Sequence, residues 1–176
     1  MDTYIKIQLN GKNGSHLSTL IDKEDFELVS KYRWWCLPNG NGEIYAKSYF
    51  INPETKKRKY ILLHRLITRA LPHEIIDHIN HKTLDNRKNN LRICSAQQSV
   101  GNITQHKNNT SGFKGVSVHK NKKTGFSSWR ARINFNRKEY VTYHKNIEEA
   151  IKSYDTMAKK FYGEFAFTNE DIIKFS

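Results

Sequence analysis

The chain has 176 residues, 37% of them hydrophobic and 27% charged, which is enough apolar material for one medium core or two small ones and excludes a disordered polyelectrolyte. Thirty Lys and Arg against 17 Asp and Glu leave a formal charge of +13, so an extended polyanion is the first partner to consider. Its two cysteines, Cys36 and Cys94, lack paired-ligand spacing, and no apolar run approaches membrane-spanning length; a disulfide framework, a zinc ribbon and a membrane partner are set aside, and a cytoplasmic protein is expected.

Along the first half, Ile5, Ile7 and Leu9 alternate with polar residues, and NGKNG at 10–14 offers a turn before Leu17, Thr19 and Ile21 resume the alternation. This predicts a hairpin. A short helix is expected over Asp22 to Lys31 with Asp22 as N-cap, followed by Trp34-Trp35, the turn PNGNG at 38–42 and an aromatic strand through Tyr45 and Tyr49. The Trp pair is read as core. After NPETKK, the run Tyr60 to Leu63 leads into a dense cluster of ligand-type residues: His64, His73, Asp77, His78, His81, Asp85, Asn86, Asn89, Asn90 and Asn102. Their order carries more than their number. A short apolar strand bears the adjacent pair Asp77-His78, a polar loop LDNRKNN follows, then a second strand Leu91 to Cys94 and the helix-like SAQQSVGN.

Thr104 to Gly112, TQHKNNTSG, contains no large apolar side chain, and a linker is placed there between regions 1–103 and 113–170. Both sides are basic, with 16 basic and 10 acidic residues before residue 104 and 14 and 7 from residue 104 onward. Beyond the linker, WRARINFN puts Trp129, Ala131, Ile133 and Phe135 on one strand face and Arg130, Arg132, Asn134 and Asn136 on the other. One face is core; the other is a row of donors. Lys138 to Tyr143 returns as a partner strand after a turn near Asn136 and Arg137, and Val116 with Val118 marks a third strand. Ile147 to Phe161 carries an apolar stripe at helical spacing. The expected fold is α+β, with a β-rich N-terminal region and a three-stranded antiparallel sheet packed on one helix.

Two segments resemble known families. LHRLI (63–67), DHIN (77–80), LDNRKNNLRIC (84–94) and Asn102-Ile103 resemble the HNH endonucleases of mobile introns and phages. That resemblance implies a strand, strand and helix finger around one divalent metal, Mg²⁺ or Mn²⁺, with His78 as general base, Asp77 as metal ligand, Asn90 bracing the loop and His64 in support. The residue types suit those tasks, since an imidazole can take a proton from water near neutral pH and a carboxylate is a hard oxygen donor. Where relatives carry a further Asn or His ligand this chain has Ser99, with Asn102 one helical turn on; the position after Asn80, commonly glycine, is His81. A lone imidazole after a strand is ordinarily solvated, and His73 and His81 are read that way. His78 is distinguished by its neighbour Asp77 and by the loop that follows.

SGFKGVSV (111–118), WRARI (129–133) and EEAIKSYDTMAKKFYGEFAFTN (148–169) resemble the DNA-binding domain of plant ethylene-response factors, in which the sheet lies in the major groove. The resemblance implies contacts to double-stranded DNA from Lys114, Ser117, His119, Arg130, Arg132, Asn134, Lys138 and Tyr140, with Arg87 added from the first half. Gly115 is expected to mark a bulge or a close approach of backbone to phosphate. The whole reads as a DNA endonuclease of a phage or bacterial host, monomeric or paired if both strands are cut. Two other readings stay open at this point: a DNA-binding regulator with an inactive HNH site, and an RNA-binding module.

Overall fold

A computed structural model describes residues 3–12, 14–40, 42–104 and 108–175. Asn13 and Asn41, inside the two expected glycine turns, and positions 105–107 of the expected linker lie outside the described residues. The fold is α+β, and by packing the chain separates into two compact units, Met1–Cys94 and Ser95–Ser176. The division falls earlier than the polar stretch at 104–112, so the segment after Cys94 goes with the second unit.

In the first unit, β1 (Tyr4–Gln8) pairs antiparallel with β2 (Ser18–Asp22), Ile5 opposite Ile21 and Ile7 opposite Thr19. The helix expected over 22–31 is cut to a 3-10 turn, Lys23–Asp25, and the single turn α1, Phe26–Val29. Its brevity follows from Trp34, whose indole Nε1 donates to Val29 O at 3.0 Å, so the chain must double back to sink that ring into the core. Asp22 makes no cap here; its Oδ2 instead accepts from Lys88 N at 2.7 Å. Next come β3 (Trp35–Pro38), β4 (Ile44–Ile51) and β5 (Arg58–Leu62), an antiparallel sheet with β4 central. Helix α2 (Leu63–Thr68) buries Leu63, His64 and Ile67, so the burial of its apolar face carries His64 inward as well. A two-stranded ribbon of β6 (Ile75–His78) and β7 (Leu91–Cys94) completes the unit. Leu9, Ile21, Val29, Trp34, Ala46, Leu63, Ile67 and Leu91 form one core that gathers side chains from all of these layers.

The second unit opens with α3 (Ala96–Gly101), started by a capping box in which Gln98 N donates to Ser95 Oγ at 3.2 Å and Ser95 N to Gln98 Oε1 at 2.8 Å. Gly101 lets this helix close on Tyr162, because a Cβ there would lie 2.6 Å from the ring Cγ. Strands β8 (Val116–Lys120), β9 (Ser127–Phe135) and β10 (Lys138–His144) form an antiparallel sheet with β9 central. Helix α4 (Ile147–Tyr162), capped by Asn146 Oδ1 accepting from Glu149 N at 2.9 Å, lays Ala150, Tyr154, Ala158 and Tyr162 against one sheet face. The last helix is α5 (Asn169–Phe175). Asn169 fastens the unit: its Oδ1 accepts from Lys114 N at 2.7 Å, and its Nδ2 donates to Asp155 Oδ1 at 2.9 Å.

Candidate functional site

The β6–β7 ribbon sets Asp77 opposite Arg92 and His78 opposite Leu91. Arg92 donates to Asp77 Oδ2 from Nε at 2.9 Å and reaches the same oxygen from Nη2 at 2.8 Å, with both side chains largely covered. The neighbouring imidazole is 6% exposed, and its Nε2 meets Asn86 Oδ1 at 3.3 Å. Asn86 is fully buried and donates from Nδ2 to Thr19 Oγ1 at 2.7 Å. His64 stands edge-on to His78, ring centroids 5.3 Å apart at 87°, and Tyr45 packs on both rings at 5.5 and 6.0 Å.

Burial dominates the protonation of this cluster. It pushes His64 down to about 3, helped by the charges of His78 and Arg65. Burial also lowers His78 from its usual value, against the Asn86 bond and the charges of Asp77, Asp85 and Glu43, which act the other way. Tyr45 is pushed up to about 12, first by burial and then by Glu43. Both imidazoles are therefore neutral at pH 7, the form in which an imidazole accepts a proton.

The loop between the strands is cross-braced from Asn90. Its Nδ2 donates to Asp85 O at 2.8 Å, its Oδ1 accepts from Asn80 N at 3.0 Å, and its carbonyl accepts from Ile79 N at 3.0 Å. Asp85, 4% exposed, accepts from Arg87 Nε and Nη2, each at 2.7 Å, and from Asn80 Nδ2 at 2.9 Å. Burial alone would raise the Asp85 carboxyl, but the bonds from Arg87 and Asn80 hold it below its ordinary range. Arg87, expected to touch DNA, thus spends its fork on Asp85. His81 closes the turn with φ +58, the left-handed conformation that glycine adopts without steric cost and that accounts for glycine being common there. Ser99 and Asn102 lie in the second unit, on α3 and at its C-cap, where Asn102 N donates to Ser99 O at 3.2 Å.

In the second unit the strand registers sort the expected DNA contacts. Ser117 and His119 on β8 share a face with Arg130, Arg132 and Asn134 on β9, since Ser117 pairs with Arg130 and His119 with Ser128. Arg130 donates to Ser117 Oγ at 3.2–3.3 Å, and Arg132 pairs with Glu139 at 3.3 Å. Three expected contacts are displaced. Tyr140 pairs with Ile133 and Lys138 with Phe135, which puts both on the helix side, where the Tyr140 ring lies 4.4 Å from that of Phe161. Lys114 is buried, donating from Nζ to Gly101 O and Phe167 O, each at 2.9 Å, and burial lowers its ammonium to about 8. Gly115, with φ +68, makes room for α4, as a Cβ would fall 2.0 Å from Tyr154 Cε2. The exposed ring on the outer face is Tyr143, which packs on His119 at 5.0 Å and with Phe126, Ser128 and Lys145 lines a hollow of about 480 Å³.

The chain is 30% identical over 176 residues to an uncharacterized HNH endonuclease of Acanthamoeba polyphaga mimivirus, covering 97% of this chain and 83% of that protein. It belongs to the HNH endonuclease family. Protein 3.8 of Escherichia phage T7 is also similar, 28% identical over 91 residues, covering 52% of this chain and 72% of that protein. No family model and no solved structure matches the chain.

HNH endonucleases generally use a divalent metal. Among the described residues no three His, Cys, Asp or Glu side chains converge as a metal cage, which excludes a closed zinc-type ligand set there. In the first unit the Asp77 carboxylate is a hard oxygen donor of the kind that suits Mg²⁺ or Mn²⁺, an ion that keeps much of its water. The HNH motif also has supports to which the sequence pattern alone assigns no role. Asn86 and Asp85 sit in the DNR tripeptide and could have been found from its position in the loop, whereas Thr19 lies 67 residues from Asn86 and carries no local signal.

Proposed function

We propose that the protein is a metal-dependent DNA endonuclease in which His78 is the general base and Asp77 holds the metal. The observation that carries this reading is the buried His78 imidazole, seated next to Asp77 and tied by Nε2 to a fully buried amide, with burial favouring its neutral form. Such a group can draw a proton from an attacking water, a step worth about 10²–10⁴ in rate. Asp77 would hold Mg²⁺ or Mn²⁺; the ion, when bound, would offset charge that builds on the phosphate. Asn90 keeps the loop in shape, and His64 supports His78 by ring contact. The second unit, with its likeness to the ethylene-response-factor domain, supplies affinity and register through Ser117, His119, Arg130, Arg132 and Asn134. A basic row opposite a fully apolar row matches what a sheet needs to enter a major groove.

Incubation with supercoiled plasmid and Mg²⁺ or Mn²⁺ tests the reading. Nicking should fall at least a hundredfold in His78→Ala, and nicking that persists in this variant refutes the assigned base. A second reading, a DNA-binding protein without cleavage, is favoured by Arg92 on the Asp77 carboxylate and by Ser99 in the ligand position. It predicts metal-independent DNA binding and no nicking in the unmodified chain.

A further inference from the structure

We infer that Thr19 and Asn86 are positioning residues that fix His78 as its Nε2–H tautomer and so place the basic lone pair on Nδ1. The catalytic consequence rests on the reading of His78 as the base; the tautomer itself does not.

The assignment follows from counting donors along a buried chain of contacts. Thr19 Oγ1 donates its single proton to Leu84 O at 2.8 Å, so toward Asn86 it can only accept. Asn86 Nδ2, 2.7 Å from that hydroxyl and 3.5 Å from Thr83 O, therefore faces two acceptors. Turned over, the amide would set its oxygen against both, in a place where Thr19 and Asn86 are each 0% exposed and no water can take up the mismatch. The amide is thus locked with Oδ1 toward His78 Nε2 at 3.3 Å, and that nitrogen must carry the proton. Leu84 O is itself held by Leu20 N at 2.8 Å, which ties the relay to the β1–β2 hairpin. The strand that packs the core of the first unit thereby sets the proton position on a ring whose own strand lies elsewhere in sequence. The logic is that of a partner that fixes a ring's tautomer from one nitrogen so that the other can work.

The test uses the full chain with ¹⁵N-labelled histidine at pH 8, where the ring is neutral, His78 being assigned by comparison with His78→Gln. The expected spectrum shows Nε2 as the protonated, pyrrole-type nitrogen, Nδ1 as pyridine-type, and an Nε2–H proton protected from exchange. In Thr19→Val the amide loses its acceptor, and the protected signal should vanish or give way to an Nδ1–H population; Thr19→Ser, which restores the hydroxyl, should recover it. Nicking should track the spectrum, falling about 10–100-fold in Thr19→Val and returning in Thr19→Ser. A dominant Nδ1–H form in the unmodified protein, or an unchanged His78 spectrum in Thr19→Val, overturns the inference. Were the spectra as expected while His78→Ala still nicked, the tautomer relay would stand and only the base assignment would fall.

Discussion

The two units use their recognisable residues in opposite ways. In the first, the motif side chains turn inward onto one another: His78, Asp85, Asn86 and Asn90 are each no more than 6% exposed, and each is bonded to another part of the loop or ribbon. In the second, glycine, lysine and carboxamide residues of the quoted segments build the scaffold. Gly115 admits Tyr154, and Asp155 and Lys114 are tied through Asn169. The opposite sheet face carries Ser117, Arg130, Arg132 and Asn134. A motif therefore marks chemistry only where the fold leaves its polar groups with a reactive task, and elsewhere it marks packing.

The largest break in this contrast should come from Gly115→Ala. The new methyl would meet the Tyr154 ring, and the position holds φ +68, so overpacking and the left-handed penalty add to a loss of about 3 kcal/mol. Denaturant unfolding of the full chain measures it. A variant of unaltered stability but weakened DNA binding would instead restore the phosphate-approach role for this glycine.

Acid should expose the other side of the comparison, because the first unit buries a neutral imidazole. With His64 at about 3 folded and near 6.5 unfolded, the unfolded chain binds the extra proton between those values. Stability is then fully present above pH 6.5 and declines as pH falls toward 3, by about 1.4 kcal/mol per pH unit for this one group. His78 is shifted in the same direction and adds to the slope. His64→Phe keeps a ring in the cluster and should flatten the pH dependence of the unfolding midpoint by roughly one proton; an unchanged slope means His64 is not held neutral.

How far the sequence reveals this division depends on the range of the interactions. Period-two alternation exposed β9 and its two faces, and apolar spacing exposed α4, because both patterns repeat within a few residues. The order Asp77-His78, loop, Asn90 located the ribbon and its brace. What escaped were long-range or register-dependent facts. Thr19 reaches Asn86 from another hairpin, and Asp22 leaves its expected cap for Lys88 across 66 positions. Lys138 and Tyr140 were put on the outer face, but the two-residue turn pairs them with Phe135 and Ile133, which fixes the opposite parity. Lys114 has the composition of a surface contact, yet it is drawn under the sheet by two carbonyls, Gly101 O and Phe167 O.

That parity can be sharpened by a pair of variants. Arg132→Ala should weaken DNA binding about tenfold and lower the salt dependence by about one counterion, because its guanidinium stands on the outer face with only an exposed partner, Glu139. Tyr140→Phe should leave affinity unchanged, since its ring is spent on Phe161. Titration of labelled duplex at several salt concentrations checks both. Equal losses from the two would put the reading face on the helix side.

The smallest expected effect lies at the hairpin tip, where scaffold and surface meet. Asn136 and Arg137 both adopt positive φ, +50 and +61, the two-residue geometry that suits the twist between β9 and β10. Asn tolerates that region and Arg does not, so Arg137→Gly should raise stability by about 1 kcal/mol, read as a higher thermal midpoint. The same change removes a cation from the end of the strand that carries Arg130 and Arg132. Should the midpoint rise with DNA affinity unaltered, the tip is scaffold and the ligand lies along the strands; if affinity falls as stability grows, the cation at the tip reaches a phosphate, and this left-handed arginine is retained for binding at the expense of the turn.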